Sequence, residues 1–244
     1  MIIRLLYNTF SGMLSSMIHV LFDIDATLLH VSQGIDRDAS SVMFQNVFGI
    51  EAHEEMIENV GKTEFGIITE VLEKVQGVPV TVPIQEEAYK VWAEADLQEI
   101  KKHPVHVLPG IPELLQALSH KENMQLSLLT GNSSYRSKVK IQSAGLERFF
   151  TDADGEIRGV FGEMSPRRSE LVDIVKKQVS DAEHFVIIDD SRIGAQMAKE
   201  HALPFIAVAT GNVSEEELRT YTPYVFPDFG EGRWQKVVAI IEQI

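Results

Sequence analysis

The chain contains no cysteine, few basic residues and no long apolar run, and each absence excludes a class of function. Among its 244 residues there is no Cys, which excludes disulfide bonds, thiolate catalysis and sulfur-ligated zinc. Lys and Arg number 22 against 36 Asp and Glu, and a net charge of −14 argues against sequence-independent nucleic-acid binding. No apolar run approaches the roughly 18 residues of a membrane span. We therefore expect a protein of the reducing cytoplasm, with neither nucleic acid nor membrane as its partner.

Residues 1–16 differ from the rest of the sequence. The segment is apolar, but Arg4 interrupts it, and no basic region precedes a hydrophobic stretch as it would in a signal peptide. Met17 stands directly before the first predicted strand. We therefore predict that residues 1–16 are a dispensable leader and that the folded core begins at residue 17.

The most informative stretch is His19-Val-Leu-Phe-Asp23-Ile-Asp25-Ala-Thr27. The apolar run before Asp23 is too short for a helix and is typical of a buried parallel strand. In open α/β sheets, ligands bind at the loop beyond the carboxyl end of such a strand. Two carboxylates this close are costly unless they share a cation or a proton. The pattern favours a divalent cation with a reactive carboxylate, and an ordinary acidic turn is the alternative.

Two regions of the chain differ in their predicted secondary structure. Residues 30–103 carry helical patterns without a confident strand, including a short acidic helix over about 52–60. Beyond them helices alternate with strands, and one helix begins at Ser165-Pro166. The later predicted strands lie at about 126–129, 185–188, 205–208 and 224–226. The sequence therefore predicts an α/β fold: a Rossmann-like parallel-sheet core (17–29 and 104–244) with an inserted all-helical cap domain (30–103).

Polar residues follow three of the predicted strands. They are Asp23 and Asp25, Thr130 and Asn132, and Asp189 and Asp190. Right-handed crossovers place the ends of parallel strands along one edge, where these side chains can converge. Arg167 and Arg168 lie at a predicted helix start, a position that favours anions. Carboxylates, hydroxyl and amide donors and a guanidinium together describe a phosphoryl-transfer site.

In this order the motifs resemble those of the haloacid dehalogenase superfamily, in its phosphoglycolate-phosphatase-like branch, across residues 17–244. The first motif, Asp-x-Asp-x-Thr, matches residues 23–27, and the second, a hydrophobic strand ending in Ser or Thr, matches 126–130. The third, a Lys or Arg at a helix start, matches Arg168, with Arg167 as the alternative. The fourth, an acidic loop after a strand, matches Asp190.

The resemblance implies a role for each matched residue. Asp23 would be the nucleophile, and Asp25 would act as general acid and then as general base. Thr130 and Arg168 would hold phosphoryl oxygens. Mg²⁺ would be bound by Asp23, by the backbone carbonyl of Asp25 and by Asp190.

The resemblance also indicates substrate-binding residues. Gly131 and Asn132 follow the second motif directly. Lys62 and Thr63 lie in a cap loop of the kind that contacts substrate in this superfamily. An ordinary helix start is an equally good interpretation of Lys62 and Thr63.

The fourth motif departs from the family pattern. A second Asp usually follows four residues after the first, but counting from Asp190 gives Gly194. Asp189, which stands where the family often has Gly, is the nearest reserve of charge. We expect a high Mg²⁺ requirement, and we expect Gly194→Asp to lower it.

The function that the sequence predicts is a Mg²⁺-dependent phosphatase that hydrolyses a small phosphorylated metabolite through an aspartyl-phosphate. A phosphosugar mutase of the same superfamily is an alternative, since it uses the same core. A non-catalytic binding or regulatory protein is another. Gly194 favours that last interpretation, and the intact pair of Asp23 and Asp25 opposes it.

Overall fold

The computed structural model describes residues 17–32, 34–75, 77, 82–179 and 184–244. The strands in chain order are β1 (Ile18–Phe22), β2 (Leu29–His30), β3 (His106–Val107), β4 (Met124–Leu129), β5 (Gly159–Val160), β6 (His184–Asp189), β7 (Phe205–Val208) and β8 (Val225–Phe226). The helices are α1 (Ile35–Met43), α2 (Glu64–Val75), α3 (Val82–Lys102), α4 (Ile111–Ser119), α5 (Ser134–Ser143), α6 (Glu147–Phe150), α7 (Glu170–Gln178), α8 (Arg192–Glu200), α9 (Glu215–Leu218) and α10 (Arg233–Ile241). No helix within these ranges is long and apolar enough to cross a membrane. The predicted leader, residues 1–16, lies outside them.

Six strands form one parallel sheet in the order β5-β4-β1-β6-β7-β8. The central strand β1 is buried along its whole length, which explains its continuous apolar run. Phe22 at its end is in register with Leu128 of β4 and Ile188 of β6. The carboxyl ends of these three strands therefore meet at one place, and the predicted Rossmann-like sheet is confirmed.

Each face of the sheet is covered by its own hydrophobic cluster. Val20 and Phe22 pack on one face with residues of α4 and α10. Leu21, which points to the opposite face, packs with residues of α7 and α8. This alternation within β1 builds the layered core that holds the strand ends in place.

A helical cap, defined as the described residues between β2 and β3, is inserted after the first strand. β2 and β3 form a short antiparallel pair at its base, with Leu29 opposite Val107. Helices α1, α2 and α3 share a separate core that includes Met43, Ile68 and Trp92. The all-helical insertion is therefore confirmed, and the boundaries of the two domains stay predictions.

Two predicted helices differ from the structure. The acidic helix expected over about 52–60 is reduced to a single 3₁₀ turn, Glu54–Met56, because the backbone is extended at His53 before it and at Ile57 after it. The helix expected from Ser165 begins only at Glu170. In the segment between Ser165 and Glu170, the Ser165 hydroxyl accepts a hydrogen bond from the Arg167 amide at 3.1 Å. This local turn competes with the helix.

Candidate active site

The polar residues predicted to converge do so at the carboxyl ends of β1, β4 and β6. Asp23 follows β1 directly, and its amide donates to the Ile188 carbonyl at 3.1 Å. Thr130 follows β4 and is completely buried. These strand ends open into a cavity of about 350 Å³, which is lined by residues of the core and of the cap.

Three buried carboxylates cluster at these strand ends, and two of them, Asp23 and Asp190, line the cavity. Asp23, Asp189 and Asp190 each offer one oxygen, and these oxygens lie within 4.8 Å of one another. The pKa of Asp23 is raised to about 6 and that of Asp190 to about 8, in both cases mainly by burial and in part by the neighbouring carboxylates, while the Arg168 guanidinium opposes the shift at Asp23. The Thr27 hydroxyl donates to Asp190 at 3.2 Å. Crowded oxygen donors of this kind fit a divalent metal ion, which would offset their mutual repulsion.

The side chain of Asp189 lies against the α-carbon of Gly194. A Cβ atom placed on Gly194 would lie 2.3 Å from the carboxyl carbon of Asp189. The same carboxylate accepts a hydrogen bond from the Ser191 amide at 2.7 Å, which fixes its orientation. Asp189 therefore occupies the space that an Asp side chain at position 194 would need. The expectation that Gly194→Asp lowers the Mg²⁺ requirement stays a prediction, and this geometry would require the Asp189 side chain to move first.

Arg168 lies in the site, whereas Arg167 does not. The Arg168 guanidinium is buried, and its Nη2 atom lies 2.9 Å from Asp23 Oδ1 and 3.0 Å from Asp189 Oδ2. Arg167 points to solvent and pairs with Glu170. The irregular turn before α7 separates the two arginines, so that only Arg168 faces the carboxylates.

Asp25 is held from the core side by two residues. Lys140 Nζ donates to both of its carboxylate oxygens, at 2.8 and 2.9 Å. Asn132 Nδ2 donates to Asp25 Oδ2 at 2.6 Å and to the Thr130 hydroxyl at 3.1 Å. The carboxylate of Asp25 is thereby oriented beside Asp23 without belonging to the three-carboxylate cluster.

An ion network that the sequence motifs do not include connects α5 with the cap. Arg136 Nε donates to Asp96 at 2.5 Å, and its two other nitrogens donate to Glu64 at 2.9 Å and to Asp36 at 2.6 Å. Lys140 also reaches Asp36, at 3.3 Å. Positions 136 and 140 are four apart, so they share one helix face, and that face is buried. Two cations on an inward face were the signal that could have revealed this network.

Lys62 and Thr63 have different positions. Lys62 lines the cavity, and its ammonium group pairs with Glu70 at 2.5 Å. Thr63 is fully buried, and its hydroxyl accepts from the Gly66 amide at 3.1 Å at the start of α2. The structure therefore brings Lys62 to the site and gives Thr63 the helix-capping contact.

The cap loop is docked on the loop that follows β4. The Glu64 amide donates to the Gly131 carbonyl at 2.8 Å. A Cβ atom on Gly131 would lie 2.2 Å from the Lys62 carbonyl oxygen, so this contact requires glycine. The cap is thus closed over the cavity.

The fold combines a parallel sheet, a buried carboxylate cluster at the strand ends and an inserted helical cap. This combination is typical of hydrolases in which a cap closes over an α/β core. A family model described as haloacid dehalogenase-like hydrolase matches residues 20–208, and the chain belongs to this family. Members of this family typically use a metal ion, and the cluster of Asp23, Asp189 and Asp190 is able to bind one. A search of curated proteins gave no match.

Solved structures show the same fold. CbbY from Rhodobacter sphaeroides in complex with phosphate has a TM-score of 0.64 and 20% identity, with 87% of this chain and 95% of CbbY covered. A hydrolase from Pseudomonas syringae has a TM-score of 0.59 and 19% identity, covering 86% of this chain and 92% of its own. A Thermotoga maritima protein provisionally described as a β-phosphoglucomutase has a TM-score of 0.54 and 17% identity. The match covers 92% of this chain and 99% of the Thermotoga maritima chain. At these identities the likeness establishes the fold alone.

Proposed function

We propose that the protein is a Mg²⁺-dependent phosphatase that hydrolyses a small phosphomonoester through an aspartyl-phosphate. The observation that carries this proposal is the placement of Asp23. Its buried carboxylate contacts the Arg168 guanidinium and lies next to two further carboxylates, with Asp25 oriented alongside. A nucleophile, an anion-binding cation, a metal-binding cluster and a separate acid thus face one cavity.

In the first step, a carboxylate oxygen of Asp23 attacks phosphorus. The bond between phosphorus and the ester oxygen breaks, and that oxygen takes a proton from Asp25 as it leaves. The products are a free alcohol and a phosphoryl group on Asp23. Lys140 and Asn132 support this step because they fix the Asp25 carboxylate beside the nucleophile.

In the second step, Asp25 acts as a base. It takes a proton from a water molecule, whose oxygen forms a bond to phosphorus while the bond to Asp23 breaks. Inorganic phosphate is released, and both carboxyl groups return to their starting forms. The docked cap supports this cycle because it limits the access of bulk water to the phosphoryl group.

Binding of the phosphoryl group is assigned to residues around Asp23. Arg168 and Thr130 would hold its free oxygens, with Gly131, Asn132 and Lys62 along the cavity wall. Asp23, Asp190 and the backbone carbonyl of Asp25 would hold Mg²⁺, and Asp189 lies close enough to contribute. When bound, the ion would stabilise negative charge on the phosphoryl oxygens.

Hydrolysis of a generic aryl phosphate tests this proposal. We expect activity with Mg²⁺, loss of activity with a chelator, and recovery when Mg²⁺ is added again. Asp23→Asn should abolish turnover without unfolding the protein. Asp38→Asn, which changes an exposed carboxylate of α1, is the matched control and should behave like the wild type. Equal activity of the two variants would refute the proposal.

A phosphosugar mutase is the second candidate. It is favoured by the likeness to the Thermotoga maritima protein. A mutase would pass the phosphoryl group from Asp23 to a sugar hydroxyl instead of to water. Release of inorganic phosphate in proportion to substrate consumed supports the phosphatase, and isomerised sugar phosphate supports the mutase.

A further inference from the structure

Glu54 is a buried carboxyl group of the cap that faces the cavity. Only 8% of the residue is exposed, and it is among the residues that line the cavity. Its backbone amide is anchored by the Ser40 hydroxyl at 3.1 Å. Among the residues that the structure describes, none donates a hydrogen bond to its carboxylate. Its carboxylate oxygens are not among the fully buried atoms that lack a partner, so they are open to the cavity, where a donor group on a ligand can reach them.

The charged groups around Glu54 do not satisfy it. Those that act on its carboxyl group include Asp36, Arg136, Lys140 and Glu64. Arg136 is already bound by Asp36 and Glu64, and Lys140 by Asp36. The two cations nearest to Glu54 are therefore engaged by other carboxylates. Burial raises the pKa of Glu54 to about 8, and Asp36 adds to the effect.

This part of the cap lies on the side of the cavity where the leaving group would be. Lys140 contacts both Asp25 and Asp36, which places the cap network next to the residue that protonates the ester oxygen. Asp23 and Arg168, which receive the phosphoryl group, contact each other and Asp189 instead. The part of the substrate that extends beyond Asp25 would therefore meet the cap network.

We infer that Glu54 is a specificity-determining residue, which accepts a hydrogen bond from a hydroxyl or ammonium group on the leaving group of the substrate. This inference rests on the proposed phosphatase function. A leaving group without a donor would leave Glu54 unpaired in the closed cavity, and such a penalty corresponds to about 10- to 100-fold in specificity.

Three esters of similar size test the inference. They are ethanolamine phosphate, 2-hydroxyethyl phosphate and propyl phosphate, which end in an ammonium, a hydroxyl and a methyl group. We expect the wild type to prefer the first or the second over propyl phosphate by about tenfold or more in kcat/KM. Glu54→Leu should abolish this preference. Glu54→Gln should keep a preference for hydroxyl but lose one for ammonium, which distinguishes the two donors.

Two controls separate structural effects from loss of specificity. Glu51→Gln changes an exposed carboxylate of the same cap segment and should leave the preference unchanged. Thermal melting and aryl phosphate hydrolysis show that each variant is folded and active. If the wild type hydrolyses aryl phosphate but treats the three esters alike, or if Glu54→Leu keeps the preference, the inference is overturned and the proposed function stands. If no ester is hydrolysed with Mg²⁺ present, the proposed function fails and the inference fails with it.

Discussion

The carboxylate of Asp189 fills the space above the α-carbon of Gly194. A Cβ atom at position 194 would lie between 2.3 and 2.5 Å from the carboxyl carbon and oxygens of Asp189. The Asp189 carboxylate thus occupies the place where the fourth motif usually has the carboxylate of a second Asp. It comes from the end of β6, whereas the second Asp of the motif would stand at position 194 in α8. Asp189 and Gly194 therefore form one unit of the site and should be changed together.

Exchange of the two residues tests this relationship. Gly194→Asp alone should destabilise the protein by about 1–3 kcal/mol, because the new side chain collides with a buried carboxylate. Asp189→Gly alone should weaken Mg²⁺ activation about 10- to 100-fold. The double variant Asp189→Gly/Gly194→Asp should recover part of both losses. Thermal melting and rates measured against Mg²⁺ concentration provide the data. Additive effects in the double variant would show that the two positions are independent.

Closure of the cap depends on Gly131. Gly131→Ala places a Cβ atom 2.2 Å from the Lys62 carbonyl oxygen, so the closed state should be disfavoured and kcat/KM should fall about 10- to 100-fold. The overall fold should survive, because the conflict lies between the core and the cap. Ser143→Ala at the exposed end of α5 serves as the control. Normal kinetics in Gly131→Ala would show that this contact plays no part in turnover.

The two neighbouring arginines should differ sharply in importance. Arg168→Gln removes the buried cation next to Asp23, and we expect kcat to fall about 100- to 1000-fold. Arg167→Gln removes an exposed ion pair with Glu170, and we expect kcat within about twofold of the wild type. Steady-state kinetics of both variants decide the assignment. Similar losses in the two would contradict it.

The sequence predicts the sheet of this protein well because its strands carry clear local signals. The run before Asp23 and the strand 205–208 are apolar and short, and both lie where the structure has strands. The two-residue strand β5 has no such signal, since its pairing with β4 depends on the folded chain. Local patterns also could not show that the helix expected from Ser165 begins only at Glu170.

In the site, too, residues that follow a strand could be predicted from the sequence, whereas contacts between distant segments could not. Asp23, Thr130 and Asp190 could be predicted to converge, because each follows a strand of one parallel sheet. The spacing of Arg136 and Lys140 places both on one helix face. Their partners, Asp25 and the carboxylates of the cap, lie on distant segments and could not be read from that spacing. The steric relation of Asp189 with Gly194 depends on the turn at the end of β6. It could be recognised only in three dimensions.

Glu54 should make the stability of the protein depend on pH. Burial raises its pKa from an ordinary value of 4.5 to about 8 in the folded protein. Between these values the folded state holds a proton that the unfolded chain releases, so the free energy of unfolding should fall as the pH rises from 4.5 to 8. One proton corresponds to at most about 1.4 kcal/mol per pH unit.

Glu54→Gln should make this dependence shallower, because Gln does not ionise. Denaturant unfolding of the wild type and the variant at intervals between pH 5 and 8 provides the comparison. Glu51→Gln, an exposed change in the same segment, should keep the wild-type dependence. Parallel curves for the wild type and Glu54→Gln would show that Glu54 ionises normally in the folded protein.

The central claim of this account is that Asp23 accepts the phosphoryl group. Rapid acid quenching of the enzyme during turnover of a phosphomonoester with Mg²⁺, followed by mass spectrometry of its peptides, tests that claim directly. We predict one added phosphoryl group on the peptide that contains Asp23. The group should be absent in Asp23→Asn. Turnover without any phosphoryl group on that peptide, or the same modification in Asp23→Asn, would contradict the account.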